Sequence, residues 1–394
     1  MKFVFLSSGC VIFFIIFLTV ERLLLDSRRR AVSLRVCVFG TRGKSSVTRL
    51  VAAALRENGL QVLARTTGSR PVLIYPDGRE EEIIRDGPPT ILEGKKVLRL
   101  AKECRVDILV VELMSIRPEC LRAESVRLFK PQFLICTNFR LDHLEALGPK
   151  RENIAVSFSE AVPGGAKVFI LREETNPPFV ERLQKRRAEI IPVSCRRENF
   201  DGQSFFDFPE NFSLALAAAE SLGVNKKTAL RGMTRAAPDI GGLKIWKMKK
   251  KSSSRFLIFV SLFAANEPES TSRALSLLRE KGIFTGTEVG AILSLRGDRG
   301  DRTLQWLECF KGGGFPEFNR GILIGEQATL FRRRLGLAGQ KWKAYRKITP
   351  EEIFHKELEK NPDRDICLVG LGNIVGFGRD AVDYFEKRGM AYGL

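Results

Sequence analysis

Apolar and polar positions alternate along this chain in blocks that read as a repeating strand and helix pattern. Short, β-branched apolar runs predict buried strands over 35–39, 61–65, 107–112 and 132–138. Two stretches carry helical spacing, 44–55 and 90–104, and a hairpin around Pro76-Asp77-Gly78 is predicted within 71–84. Further on, 209–219 reads as an Ala-rich helix, and Pro238-Asp239-Ile240-Gly241-Gly242 breaks the pattern. Beyond it come strands over 256–262, 289–293, 321–324 and 366–369 and a capped helix over 270–281, with a basic, exposed hairpin tip over 247–254. This alternation predicts an α/β protein in which mostly parallel sheets are flanked by helices. Met, Phe and Leu stripes elsewhere read as core.

The N-terminus has its own pattern. Residues 3–20 are almost wholly apolar, a length close to the ~20 residues that span a bilayer. Lys2 precedes the run, and Arg22, Arg28, Arg29 and Arg30 follow it. The heavier positive flank predicts a single-pass transmembrane helix with everything after it in the cytoplasm, at the cell membrane. A cleaved signal peptide is the competing reading, and the absence of a small-x-small site before Glu21 weighs against it. The expected domains are therefore a transmembrane anchor (1–27), a P-loop ATP-binding domain with a mostly parallel sheet (28–237), and a smaller, Rossmann-like C-terminal α/β domain (238–394).

Composition narrows the class. With 44% hydrophobic and 28% charged residues the chain is globular, not disordered. The formal net charge of +19 attracts polyanions: nucleic acid, anionic lipid, or an acidic substrate or product. No zinc-finger spacing or RNA-recognition signature accompanies the basic residues, so a nucleic-acid partner is not expected. Eight scattered cysteines without a C-x-x-C pair read as reduced core residues.

The candidate chemistry begins at Gly40-Thr41-Arg42-Gly43-Lys44-Ser45-Ser46, between the first strand and its helix. Glycines let backbone N–H groups approach phosphates, the helix N-terminus faces negative charge, Lys44 supplies a cation, and Ser45 can ligate Mg²⁺. The classical eight-residue pattern would need Gly where Val38 stands, so the motif is the shorter G-x-x-G-K-S. Glu112 ends a buried strand and is aimed at the crevice where Mg²⁺-nucleotide would lie, a metal-ligand candidate. Asn138 and Asp142-His143 follow another strand end. The chain has only two histidines, and His143 is read with a metal or phosphate role. Thr67, in the hydroxyl-rich turn 66–69, sits where ligands collect in doubly wound sheets, although a plain turn reads equally well. In the second domain, Arg296, Asp298, Arg299 and Arg302 follow a strand, and Arg forks suit carboxylate or phosphate. A solvated charged loop is the alternative there. Gly370-Leu371-Gly372-Asn373 is a weak dinucleotide signal, since Ile374-Val375 stand where a third Gly belongs.

At these residues the chain resembles the Mur ligase superfamily, whose central ATPase domain carries the Gly40–Ser45 motif, a strand-end Glu112, and Thr137-Asn138 with Asp142-His143. Asn211, in Pro209-Glu210-Asn211, is similar to the superfamily's Asn near the adenine; Leu214 replaces the second Asn, and Glu210 stands where a His is usual. Within the superfamily it resembles the membrane-bound PgsB/CapB type, the ligase subunits of poly-γ-glutamate synthase. That resemblance runs through Ala264-Ala265-Asn266-Glu267-Pro268-Glu269-Ser270-Thr271, Arg296-Gly297-Asp298-Arg299-Gly300 and Gly370–Gly376, and covers nearly the whole length. Ser261, Ser294 and Leu295 depart from the family's Asn residues.

The resemblance implies an ATP- and Mg²⁺-dependent amide ligase that phosphorylates a carboxylate and joins it to glutamate, building poly-γ-glutamate with membrane-embedded synthase and export subunits as partners. It implies that Lys44, Glu112, His143 and Arg299 are catalytic, that Ser45, Glu112 and His143 face the metal, and that Thr67, Arg296, Asp298 and Arg302 meet substrate. Two alternatives stay open: another Mur-type amino-acid ligase acting on a folate or cell-wall acceptor, and a membrane-tethered P-loop transport or assembly ATPase.

Overall fold

The computed structural model describes residues 2–68, 70–195, 208–237, 242–249, 255–263, 265, 267–298, 300–360 and 365–392. Of the sequence features above, 238–241, 250–254, Asn266 and Arg299 lie outside the described residues. The chain divides into two compact units, residues 1–203 with 209–237, and 204–208 with 238–394.

The first unit is built on β1 (Leu34–Phe39), β2 (Val62–Arg65), β3 (Val72–Ile74), β4 (Glu80–Glu82), β5 (Ile108–Glu112), β6 (Phe133–Cys136), β7 (Lys167–Leu171) and β8 (Glu189–Val193). They form one sheet in the order β4-β3-β2-β5-β1-β6-β7-β8, parallel except for the β2-β3-β4 edge. The central strands are continuous apolar runs because helices cover both faces of a parallel sheet. Register sets the chemistry: Val38 pairs with Glu112 and Phe39 with Cys136. Glu112 and Thr137 therefore emerge at the same carboxyl edge as Gly40, the edge at which open α/β sheets bind ligands.

The helix Lys44–Glu57 buries Val47, Leu50, Val51 and Leu55, each worth roughly 1.5–3 kcal/mol. Its small residues Ala52–Ala54 admit a neighbouring helix, Lys226–Thr234, at close range: a Cβ on Gly232 would lie 2.5 Å from the Ala53 carbonyl oxygen. The helix that opens the cradle is thus held by packing, independently of any ligand.

Two expectations fail at the N-terminus. Among the described residues no helix is long and apolar enough to cross a membrane, which overturns both the transmembrane helix and the single-pass membrane placement. The helix Lys2–Arg30 does form. Its last ten residues, 21–30, hold six charged side chains. Its second half is polar and tied to the first unit instead. Glu21 pairs with Lys95, the Lys102 ammonium donates to Ser27 Oγ at 3.0 Å, and the Arg29 guanidinium donates to the Arg127 carbonyl at 2.9 Å.

The second unit holds β9 (Lys244–Lys249), β10 (Phe256–Ser261), β11 (Thr287–Ser294), β12 (Arg320–Ile324), β13 (Trp342–Tyr345), β14 (Asp365–Gly372) and β15 (Met390–Ala391), in the order β13-β12-β11-β14-β10-β9-β15. One face is packed by Trp306, Phe310, Phe331 and Trp342, the other by Trp246, Phe259, Phe354 and Phe385. β14 returns between β10 and β11, so the connections leaving β11 and β14 diverge and open a crevice at their carboxyl ends.

Candidate active site

The phosphate-cradle residues and the polar strand ends meet in the first unit. Gly43 stands immediately before the helix with φ 82° and ψ 0°, a left-handed conformation suited to glycine. A Cβ there would lie 2.5 Å from Oδ1 of Asn211, which the helix Pro209–Ser221 brings against the loop. The other glycine, Gly40, has φ 126° and backs onto Thr137 and Asn138.

Asn138 laces the loop into place. Its carbonyl accepts from the Thr41 N–H at 3.1 Å, its Oδ1 from the Thr41 hydroxyl at 2.7 Å and the Arg42 N–H at 3.2 Å, and its Nδ2 donates to the Arg42 carbonyl at 3.1 Å. The Thr41 Oγ1 accepts in turn from the Arg140 N–H at 2.8 Å. The loop is therefore preorganised by side chains from the end of β6.

Lys44 is half-buried and donates to the Gly40 carbonyl at 2.9 Å. Burial holds its ammonium below the usual lysine range, and nearby Glu112 partly opposes that shift. An ammonium folded onto a carbonyl in a desolvated loop is poised to exchange that carbonyl for a phosphate oxygen. Ser46 is half-buried in the first turn of the same helix.

The buried Glu112 carboxylate accepts from the Ser45 hydroxyl at 2.8 Å and from the Thr67 N–H at 2.7 Å, both through Oε2. Gly68 lies close to the same hydroxyl, since a Cβ there would be 2.7 Å from Ser45 Oγ. Ser45, Thr67 and Glu112 thus come together from three elements, and Thr67 contributes its backbone there. A second acid is drawn to the cradle by Arg42, whose guanidinium meets Asp142 at 3.1 Å. His143 Nε2 lies 3.6 Å from the same carboxylate, on a backbone with φ 51°.

Beneath Glu112 lies a buried ion pair that sequence reasoning did not find. Arg65 Nη2 donates at 2.9 Å to both the Glu124 carboxylate and the Glu112 carbonyl, and its guanidinium lies 5.5 Å from the Phe129 ring centre. Glu124 also accepts from the Met114 and Ser115 N–H groups, fixing the chain as it leaves β5. Both side chains are fully buried, so the pair holds Glu112's backbone by structure alone.

The candidates of the second unit form a group of their own. Arg296 makes a two-bonded fork with Asp298, at 2.8 and 2.5 Å. Together they line a cavity of about 790 Å³ at the carboxyl ends of β11, β12 and β14, with Glu326, Arg346, Lys347 and Asp380 also in its wall. Arg302, on the helix Gly300–Lys311, lines a smaller recess beside Trp306 and Asn373. Gly372, with φ 81°, lets the Asn373 N–H reach the Ser294 carbonyl at 2.9 Å, so this Gly-rich turn closes the crevice floor.

Comparison with known proteins agrees with this architecture. Residues 38–235 match the Mur ligase middle domain, and residues 246–388 the poly-gamma-glutamate synthase CapB C-terminal domain. The PGA synthase CapB of Bacillus subtilis (strain 168) is 32% identical over 379 residues, covering 92% of this chain and 94% of that protein. The capsule biosynthesis protein CapB of Bacillus anthracis is 31% identical over 310 residues, 77% of this chain and 66% of that protein, so the chain spans about two thirds of that relative's length. In fold, it is similar to the bifunctional folylpolyglutamate synthase/dihydrofolate synthase from Yersinia pestis, solved complexed with AMPPNP and Mn ion, with a TM-score of 0.67 at 14% identity over 93% of this chain and 92% of that one. With matching domains in this order and a relative aligned along nearly its whole length, the chain belongs to the CapB family of poly-γ-glutamate synthases, built on a Mur ligase middle domain.

Proposed function

We propose that this chain is an ATP- and Mg²⁺-dependent ligase that activates a carboxylate as its acyl phosphate and joins it to glutamate, building poly-γ-glutamate. The observation that carries the proposal is the Ser45 hydroxyl held 2.8 Å from the buried Glu112 carboxylate, one residue from the Lys44 cation. Both are hard oxygen donors of the kind Mg²⁺ takes, and two protein ligands leave room for the phosphate oxygens and waters that this ion keeps. Among the described residues no group of three His, Cys, Asp or Glu could hold a metal. Ser45 and Glu112 are accordingly assigned to the ion, and His143, with Asp142 and Arg42, to its phosphate side. When bound, Mg²⁺ would neutralise charge on the transferring phosphoryl group.

In the proposed reaction, a carboxylate oxygen of the acceptor attacks the γ-phosphorus and ADP leaves. The glutamate amine then attacks the acyl carbon, the bond to phosphate breaks, and the amine proton passes to water. Lys44 and Arg42 stabilise the phosphate charge, the Gly40–Ser46 backbone and Asn138 orient the cradle, and Asn211 takes the nucleotide's far side. Thr67, Arg296, Asp298 and Arg302 are assigned to substrate, Arg296 through its carboxylate-matching fork. Arg299 is assigned with them on its sequence position alone. A polymer with one carboxylate per unit does not cross hydrocarbon unaided, so membrane-embedded export subunits complete the proposal as partners.

The test is purified protein with ATP, Mg²⁺ and labelled glutamate. ADP release that requires glutamate and yields a labelled amide is expected, with loss of both in a folded Lys44→Ala variant. ADP release indifferent to glutamate, with no amide formed, would move the protein to the transport or assembly ATPases.

A further inference from the structure

One surface of the second unit remains unused by the proposed chemistry. Between Gln327 and Pro350 there is no acidic residue, yet Arg332, Arg333, Arg334, Lys341, Lys343, Arg346 and Lys347 all fall there. All seven are exposed. Three stand on the last turn of the helix Ala328–Arg334, and the others flank or lie on β13, the edge strand of the sheet. Among the described residues, Arg332, Arg333, Arg334 and Lys341 form no ion pair, whereas Arg346 and Lys347 share a cavity wall with Asp298, Glu326, Glu352 and Asp380. Arg346 and Lys347 also line the 790 Å³ cavity that contains Arg296. The basic strip therefore begins on open surface and ends inside a cavity.

We infer that this strip is a docking track for the growing poly-γ-glutamate chain, holding the polycarboxylate near the cavity between additions. The inference rests on the ligase reading for its ligand. Charge favours it, since repeated cations facing repeated carboxylates gain by release of counterions even without a fixed geometry. Spacing agrees: β13, Trp342–Tyr345, extends about 13 Å at strand rise. A γ-linked unit has five chain bonds against three in an α-peptide, hence about 6 Å per unit at the same reach, so about two units lie along this strand. Nucleic acid fits less well. Stacking bases need exposed aromatic faces, whereas Trp342 is buried and Tyr345 is half-buried with Lys356 5.8 Å from its ring centre.

The experiment uses the full chain and labelled long and short poly-γ-glutamate, with single-stranded DNA and anionic vesicles as competing ligands. Arg332→Gln/Arg333→Gln/Arg334→Gln with Lys341→Gln should weaken long-polymer binding roughly tenfold or more at low salt. The same variant should raise KM for a long acceptor, keep kcat, and shorten the product. Wild-type affinity should fall steeply as salt rises. The inference is overturned if the folded variant binds long polymer and extends it like the wild type, if wild-type affinity is indifferent to salt, or if DNA or vesicles outcompete the polymer. Should the variant fail to fold, the salt and competition arms still decide. Wild-type protein that releases no ADP in response to glutamate would instead refute the ligase reading, and this is read in the same sample before any variant.

Discussion

Gly43→Ala tests whether the cradle is built as the geometry indicates. The residue sits at φ 82°, where an L side chain costs about 1–2 kcal/mol. The added methyl would also lie 2.5 Å from Asn211 Oδ1, well inside van der Waals contact, so the buried Asn211 amide has to move. Displacing a buried polar group from its partners costs about 1–3 kcal/mol. Together these give a loss of about 2–5 kcal/mol, visible as a lower urea midpoint, and a nucleotide affinity weakened more than tenfold, since about 1.4 kcal/mol is one decade. The two contributions separate in a cycle with Asn211→Ala. That background removes the contact and leaves the strained backbone, so Gly43→Ala should be milder there by about 1 kcal/mol or more. Equal penalties in both backgrounds, or a Gly43→Ala protein with wild-type midpoint and nucleotide affinity, would refute the close approach of Asn211 to the loop.

Three further outcomes follow from the same structure. Burial lowers the Lys44 pKa, so above that lowered value the folded chain has shed a proton that the unfolded chain keeps; this group's contribution to stability therefore rises with pH up to the ordinary lysine value, while nucleotide affinity falls over the same range. Urea midpoints and titration calorimetry against pH check this, with Lys44→Met expected to flatten both trends. Arg65→Met leaves Glu124 buried without its cation and should cost about 3–5 kcal/mol in thermal unfolding; a loss below about 1 kcal/mol would show that the pair does not brace β5. The thiols of Cys37, Cys136 and Cys367 are pushed up by burial, that of Cys367 to about 12, so they should resist alkylation at mildly alkaline pH while exposed Cys10 reacts; labelling of Cys367 faster than global unfolding would contradict its burial.

The strands carrying Gly40, Glu112 and Asn138 were legible because buried parallel strands write themselves as unbroken apolar runs, and each run here ends in a polar residue. That shared edge groups Ser45 with Glu112 from sequence alone. The Arg65–Glu124 pair was not legible, since its members stand 59 positions apart and an arginine closing a strand reads as a solvent contact. At the N-terminus, the helix was legible but its role was not: hydropathy registers apolar length, whereas the contacts of Glu21, Ser27 and Arg29 depend on which helix packs beside them. Strand order was hidden for a similar reason. The insertion of β14 between β10 and β11 comes from packing across the whole sheet, and it alone makes the crevice beside Ser294 and Gly372.

The substrate role proposed for Arg296 asks its guanidinium to exchange Asp298 for a ligand carboxylate in a cavity charged with both signs. Arg296 is occupied by Asp298, but the aspartate is 60% exposed and the arginine 33%, so solvent screens their attraction and the pair is worth at most about 1 kcal/mol. A ligand carboxylate would offer the same two acceptors, and a weakly held fork would change partners at small cost. At Gly297 a side chain would run into Glu326, so the turn that carries both residues is packed closely against the neighbouring loop. The opposite logic governs Arg65 and Glu124, whose full burial makes separation expensive. One chain thus holds the same Arg–carboxylate pairing in two settings, fully buried behind Glu112 and solvent-screened at the cavity, and burial sets what separating each pair costs.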